Sequence, residues 1–101
     1  MTMRHIVLVR VRPDVSPQAV EEAFESLAAL QGTMPGLLSF HAGPNTSPEG
    51  KDDGFNYGFV MDFADAATRD AYLVDPRHVA AAAGLRTIRA PDGVLVFDFE
   101  L

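Results

Sequence analysis

Residues 3–12 alternate in both registers. Met3, His5, Val7, Val9 and Val11 fall on one side of an extended chain, and Arg4, Ile6, Leu8, Arg10 and Arg12 on the other. Charges bound the second set, but Ile6 and Leu8 keep its middle apolar, which predicts a strand covered at its centre on both faces. Ser16-Pro17 then opens a helix, a hydroxyl cap followed by proline where its missing N–H costs nothing. Val20, Ala23, Phe24, Leu27, Leu30 and Met34 recur at helical spacing, with Glu21, Glu22 and Glu25 outside, until Gly32 and Pro35-Gly36 stop the helix. A short strand is expected over 37–43, with Leu38, Phe40 and Ala42 facing one way and Ser39, His41 and Gly43 the other. Residues 44–54 read as a mobile loop, long for a hairpin connection. Phe55, Tyr57, Phe59, Met61 and Phe63 make a stripe of large apolar side chains, the mark of a central strand.

Asp65 is a good cap for a second helix reaching about Val74. Asp75-Pro76 repeats the cap-then-proline signal, so a third helix begins at once and runs to about Arg89, weakened by about 1 kcal/mol at Gly84. Asp92-Gly93 is expected to turn the chain into a last strand over 94–100. That strand sets Leu95, Phe97 and Phe99 on one face and Val94, Val96, Asp98 and Glu100 on the other. The order β-α-β-β-α-α-β predicts an α+β, ferredoxin-like protomer: one domain over 1–101, a four-stranded antiparallel sheet, helices on one face. Pairing the first and last strands antiparallel is expected to bring His5, Val7 and Val9 against Phe99, Phe97 and Leu95, and Arg4 near Asp98 and Glu100. Ile6, Leu8, Val60, Val94 and Val96 are then left on the face without helices. A bare apolar face predicts a homodimer joined sheet to sheet.

Composition narrows the chemistry. With 101 residues and 48% hydrophobic content, one core forms without staples. The absence of cysteine removes disulfides, thiolate metal sites and cysteine nucleophiles. A net charge of −6 argues against nucleic acid as a partner. No apolar run reaches the length of a bilayer span, and none near the start suits a signal peptide, so no membrane partner and a cytoplasmic location are expected. Three histidines are too scattered for a metal site, and no glycine-rich phosphate or nucleophile-elbow motif occurs. No metal and no cofactor are expected; any chemistry must come from His, Tyr and water.

His5 lies among valines on the helix-facing side of the first strand, where a histidine is either a hydrogen-bonded core residue or a group in a pocket. His78 is the third residue of the third helix, where the dipole disfavours its charged form while Asp75 and Asp70 favour it. A neutral imidazole there is a candidate general base; a solvated helix cap is the alternative. Tyr72, on the same helix–Pro–helix unit, either fills the core with its hydroxyl tied to backbone or presents that hydroxyl to a pocket. Tyr57 is on the helix-covered face and could join such a pocket, with Phe59, Val7 and Phe24 as apolar lining. His41 carries no assigned role. The set Phe24, Phe55, Phe59, Phe63, Phe97 and Phe99 is most simply core.

Taken in order, "HIVLVRVRP", "MPGLLSFHAGPNTSPEG", "FNYGFVMDF", "AYLVDPRHVA" and "VLVFDFE" resemble the stress-responsive α/β-barrel (Dabb) family over nearly the whole chain. The resemblance implies a ferredoxin-like protomer, a homodimer whose two sheets form a shared α+β barrel, and a pocket between sheet and helices. One member, the plant olivetolic acid cyclase, closes a linear polyketide by aldol chemistry without metal or cofactor. Its tyrosine and histidine across the helix junction, and its first-strand histidine, fall on Tyr72, His78 and His5. Where it has a further histidine on the third strand, this chain has Tyr57; where the junction is commonly His-Pro-x-His, this chain reads Asp75-Pro76-Arg77-His78. The resemblance thus implies a cofactor-independent, polyketide cyclase-like acid–base enzyme or related lyase or isomerase, acting on a small apolar or aromatic carbonyl compound. The alternatives are a non-catalytic stress-response or ligand-binding protein, and a cofactor-free monooxygenase.

Overall fold

In the computed structural model, which describes residues 1–101, the first alternating segment becomes β1 (Met3–Val11). Its Met3, His5, Val7, Val9 and Val11 are all buried. Helix α1 (Pro17–Ala28) starts as its cap residues dictate: Ser16 Oγ accepts from the Ala19 N–H at 3.1 Å, and Pro17 takes the first turn. The helix ends earlier than its apolar spacing predicts. A 3-10 turn (Ala29–Gly32) replaces the expected last stretch and still buries Leu30. Strands β2 (Leu37–Pro44) and β3 (Tyr57–Phe63) follow, then α2 (Ala66–Val74), α3 (Pro76–Arg86) and β4 (Arg89–Glu100). The four strands form one sheet in the order β2-β3-β1-β4, every neighbour antiparallel. No helix is long and apolar enough to cross a membrane.

The core lies between one face of the sheet and the helices. Val7, Val9, Phe59, Met61 and Phe63 meet Phe24, Leu27, Tyr72 and Leu85 there. Phe24 sets its edge against Tyr57 and Phe59, with ring centroids 5.9 and 5.8 Å apart, and Phe40 stacks on Phe59 at 5.4 Å. The loop expected to be mobile is folded back on itself instead. Asn56 exchanges two hydrogen bonds with the Val11 backbone, at 2.8 and 3.2 Å, extending the sheet by one side chain. Arg10 donates to the Asp53 carbonyl and carboxylate at 2.9 and 3.0 Å and covers the Phe55 ring at 4.3 Å. Phe55 is therefore a lid under a guanidinium, not part of β3.

The last strand departs most from expectation. The Asp92-Gly93 turn is present, with Asp92 at φ 57°, but it lies inside β4 as a bulge. Val9 pairs with Val94 and Val11 with Arg89, so the intervening residues loop out of the ladder. Only glycine fits at its end: a Cβ on Gly93 would sit 2.7 Å from the Ala90 carbonyl oxygen. The register that results is the opposite of the one the sequence suggests. His5, Val7 and Val9 pair with Asp98, Val96 and Val94, while Arg4, Ile6 and Leu8 pair with Phe99, Phe97 and Leu95. Because side chains alternate strictly along a strand, this one-residue difference moves every β4 side chain to the other face. The helix-free face consists of Ile6, Leu8 and Val60 with Leu95, Phe97 and Phe99, not Val94 and Val96. These last three rings and side chains are 50%, 63% and 41% exposed, so Phe97 and Phe99 are not core. Arg4 pairs with Asp62, not Asp98 or Glu100, through two bonds of 2.8 Å.

Candidate active site

The junction of α2 and α3 is built by one residue. Asp75 ends α2 and caps α3, with extended backbone at φ −69°, ψ 132°. Pro76 lacks the N–H that would continue α2 and suits the first turn of α3. The Asp75 carboxylate accepts from the Arg77 backbone N–H at 2.8 Å and from its Nε and Nη2 at 3.0 and 2.9 Å. These bonds hold the Asp75 carboxyl down at about 2. Arg77 Nη1 also donates to the Thr33 carbonyl at 3.0 Å, which ties the junction to the end of α1. A fixed kink thus brings Tyr72 from α2 and His78 from α3 into contact, ring centroids 4.2 Å apart and planes tilted by 38°.

His5 completes the cluster from β1. Its ring lies 6.3 Å from Tyr72 and 6.1 Å from Phe63, edge-on to both, and Phe63 packs on Tyr72 at 5.0 Å. His5 is 5% exposed and Tyr72 1%. His5 Nδ1 is 2.7 Å from Asp98 Oδ1, and Asp98 Oδ2 accepts from Arg69 Nη1 at 3.0 Å. A carboxylate accepts only, so the proton lies on Nδ1 and Nε2 is the nitrogen left over. His78 makes the same choice: its Nδ1 donates to the Leu73 carbonyl at 3.2 Å.

Neither the Tyr72 hydroxyl nor the second nitrogen of either histidine has a hydrogen-bond partner in the protein. No side-chain nitrogen or oxygen is both sealed from solvent and unpartnered, so all three atoms reach accessible space. Burial lowers the pKa of His78 below that of a free imidazole. Repulsion from His5 acts in the same direction, while the Leu73 carbonyl and Asp75 oppose it. Burial raises the pKa of the Tyr72 phenol, which therefore stays protonated at neutral pH and keeps an O–H to donate. The group is a neutral imidazole, a phenolic donor and a second histidine with a carboxylate behind it.

The apolar residues expected to line a pocket divide differently. Val7, Phe59 and Phe24 are buried in the core, and Phe63, not Phe59, forms the wall beside Tyr72 and His5. Among the surface clefts are two that His5, Tyr72 and His78 do not line. One, of about 450 Å³, runs between α1 and β2 over Val20, Phe24, Phe40 and Tyr57. The other, of about 520 Å³, lies where the 45–56 loop meets Leu8 and Leu95 on the helix-free face. Asp98 and Arg69 were missed by sequence reading. The one signal was a lone carboxylate between two phenylalanines, and with β4 phased the other way it pointed toward Arg4. No three His, Asp or Glu side chains converge as metal ligands.

Comparisons with known proteins bear on the family and the fold. A model of the stress-responsive A/B barrel domain matches residues 3–101. A stress-response A/B barrel domain-containing protein of Arabidopsis thaliana is 28% identical over 98 residues, covering 97% of this chain and 88% of that protein. A dimeric ferredoxin-like protein of unknown function from Jannaschia sp. is similar over the whole of both chains, with TM-score 0.89 and 34% identity. The fold is also that of the hydroxynitrile lyase from Passiflora edulis, at 20% identity and TM-score 0.86, over 97% of this chain and 91% of the lyase.

Proposed function

The chain belongs to the stress-responsive A/B barrel domain family, and from that premise we propose that it is a homodimeric, cofactor-independent acid–base enzyme. The observation that carries this reading is the contact of a neutral imidazole with an unpartnered phenol, His78 on Tyr72 at 4.2 Å. His78 Nε2 takes the proton alpha to a carbonyl; the C–H electron pair moves into the enolate, whose oxygen accepts a hydrogen bond from Tyr72. When the enolate carbon attacks a second carbonyl, as in an aldol closure, the imidazolium returns its proton to the new alkoxide. His5 supplies a polar contact in apolar surroundings. The substrate is a small apolar or aromatic compound with two or more carbonyls. General acid–base help of this kind contributes about 10²–10⁴-fold. The exposed Leu95, Phe97 and Phe99 and the dimeric relative support the homodimer.

The test is exchange of solvent deuterium into a panel of aryl ketones and linear polyketones, followed by NMR. Exchange by the native protein, lost in His78→Ala and in Tyr72→Phe while the dimer persists, is the expected result. Unchanged exchange in both variants removes the mechanism. The cleft between α1 and β2 favours a second reading, binding without turnover, because its apolar floor lies away from the His78–Tyr72 pair. In that case aromatic ligands still bind the His78→Ala variant, as measured by calorimetry, and bind weakly to a Phe24→Ala variant.

A further inference from the structure

We propose that Arg69 is a positioning residue that, by holding Asp98, locks His5 in the tautomer whose Nε2 is the free acceptor. The inference rests on the acid–base reading of the site and goes beyond it to a residue outside the reacting group. Asp98 stands on β4, an edge strand, with its side chain 18% exposed. Both of its oxygens are engaged: Oδ1 with His5 Nδ1 at 2.7 Å and Oδ2 with Arg69 Nη1 at 3.0 Å. Two bonds on opposite oxygens fix the plane of the carboxylate, and that plane selects the ring nitrogen that carries the proton. Arg69 is itself held, since its Nε donates to Asp70 at 3.0 Å. It lies three residues before Tyr72 on α2, one turn away on the same side of the helix, so a single element presents the phenol and sets the imidazole. The rings of Phe63 and Tyr72, set at a steep angle to His5, make no hydrogen bond to it, and its one side-chain hydrogen bond is to Asp98.

The competing view is that Arg69–Asp98 merely staples α2 to β4. Imidazole ¹⁵N spectra of the intact protein, taken at a pH where all histidines are neutral, separate the two. The native protein should show residue 5 with a pyrrole-like Nδ1 and a pyridine-like Nε2. In Arg69→Gln and in Arg69→Met, which keeps the aliphatic stem, the two shifts should converge as tautomers mix. Arg69→Lys should keep the native pattern, because an ammonium can still hold Asp98. Native shifts in Arg69→Gln, with only a lowered Tm, would overturn the proposal; so would a native protein with the proton on Nε2. Deuterium exchange read alongside keeps the two claims apart. A locked tautomer without exchange ends the enzyme reading alone, and exchange with an unaffected tautomer in Arg69→Gln ends this inference alone.

Discussion

His78 and Tyr72 are adjacent in space because burial shapes both their positions and their protonation. The Tyr72 hydroxyl has no protein partner, so Tyr72→Phe leaves no orphaned group and should change stability by less than about 1 kcal/mol in urea melts while abolishing proton exchange. A tyrosine kept only for packing would leave proton exchange unchanged. The lowered pKa of His78 fixes the sign of a pH effect. The folded protein binds the His78 proton less readily than the unfolded chain does. Stability contributed by the neutral ring is therefore present above about pH 6.5 and declines as pH falls through that value toward the folded pKa. The acid limb of the exchange rate should likewise fall below the titration of a free imidazole. An NMR titration of the His78 ring protons checks both, and a midpoint above the free value would contradict the burial argument.

The elements are set by short signals acting locally. Asp65 caps α2 by accepting from the Thr68 N–H and hydroxyl, both at 2.7 Å. Asp65→Ala should cost about 1 kcal/mol and fray the turn that leads to Tyr72. Asp75 works at two ends at once, and its carboxyl is held at about 2 by Arg77. The support it gives the junction is complete above about pH 4, where the unfolded carboxyl is also ionised, and is lost as pH falls toward 2. Acid unfolding followed by circular dichroism should show that loss shrink in Asp75→Asn. Gly36 turns the chain into β2 at φ 85°, and a Cβ there would sit 2.6 Å from Thr68 Cγ2. Gly36→Ala should destabilise by more than about 1 kcal/mol, through both the left-handed backbone and the approach to α2.

Across the molecule, the two faces of the sheet have different fates. One is closed by helices and holds the His5–Tyr72–His78 cluster; the other presents Ile6, Leu8, Val60, Leu95, Phe97 and Phe99 around the Arg4–Asp62 pair. An apolar face of that kind is unstable in water unless a second surface covers it. Phe97→Glu places a charge on this face and should shift the proposed dimer to monomer in light scattering at micromolar concentration. Val96→Glu, one residue away on the opposite face, should leave the dimer intact. Equal effects from both substitutions would mean that the sheet face is not the interface.

The sequence by itself determined the three helices, the four strands and their order, because each helix start is written in a few adjacent residues: Ser16-Pro17, Asp65, Asp75-Pro76. It also singled out His5, Tyr72 and His78, whose types are unusual for their positions. It could not determine the facing of β4. Both sides carry apolar residues, Val94 and Val96 on one and Leu95, Phe97 and Phe99 on the other, and the charges of Asp98 and Glu100 on the first side point the wrong way, because Asp98 is held on the helix side by His5 and Arg69. Only the tertiary pairing decided it, through a bulge at Asp92-Gly93 that admits extra residues and shifts the register on β1. That shift carried Asp98 to His5 and handed Phe97 to the open face. The carboxylate behind the histidine and the composition of the helix-free face are consequences of one strand register, a property that two strands hold jointly and neither contains alone.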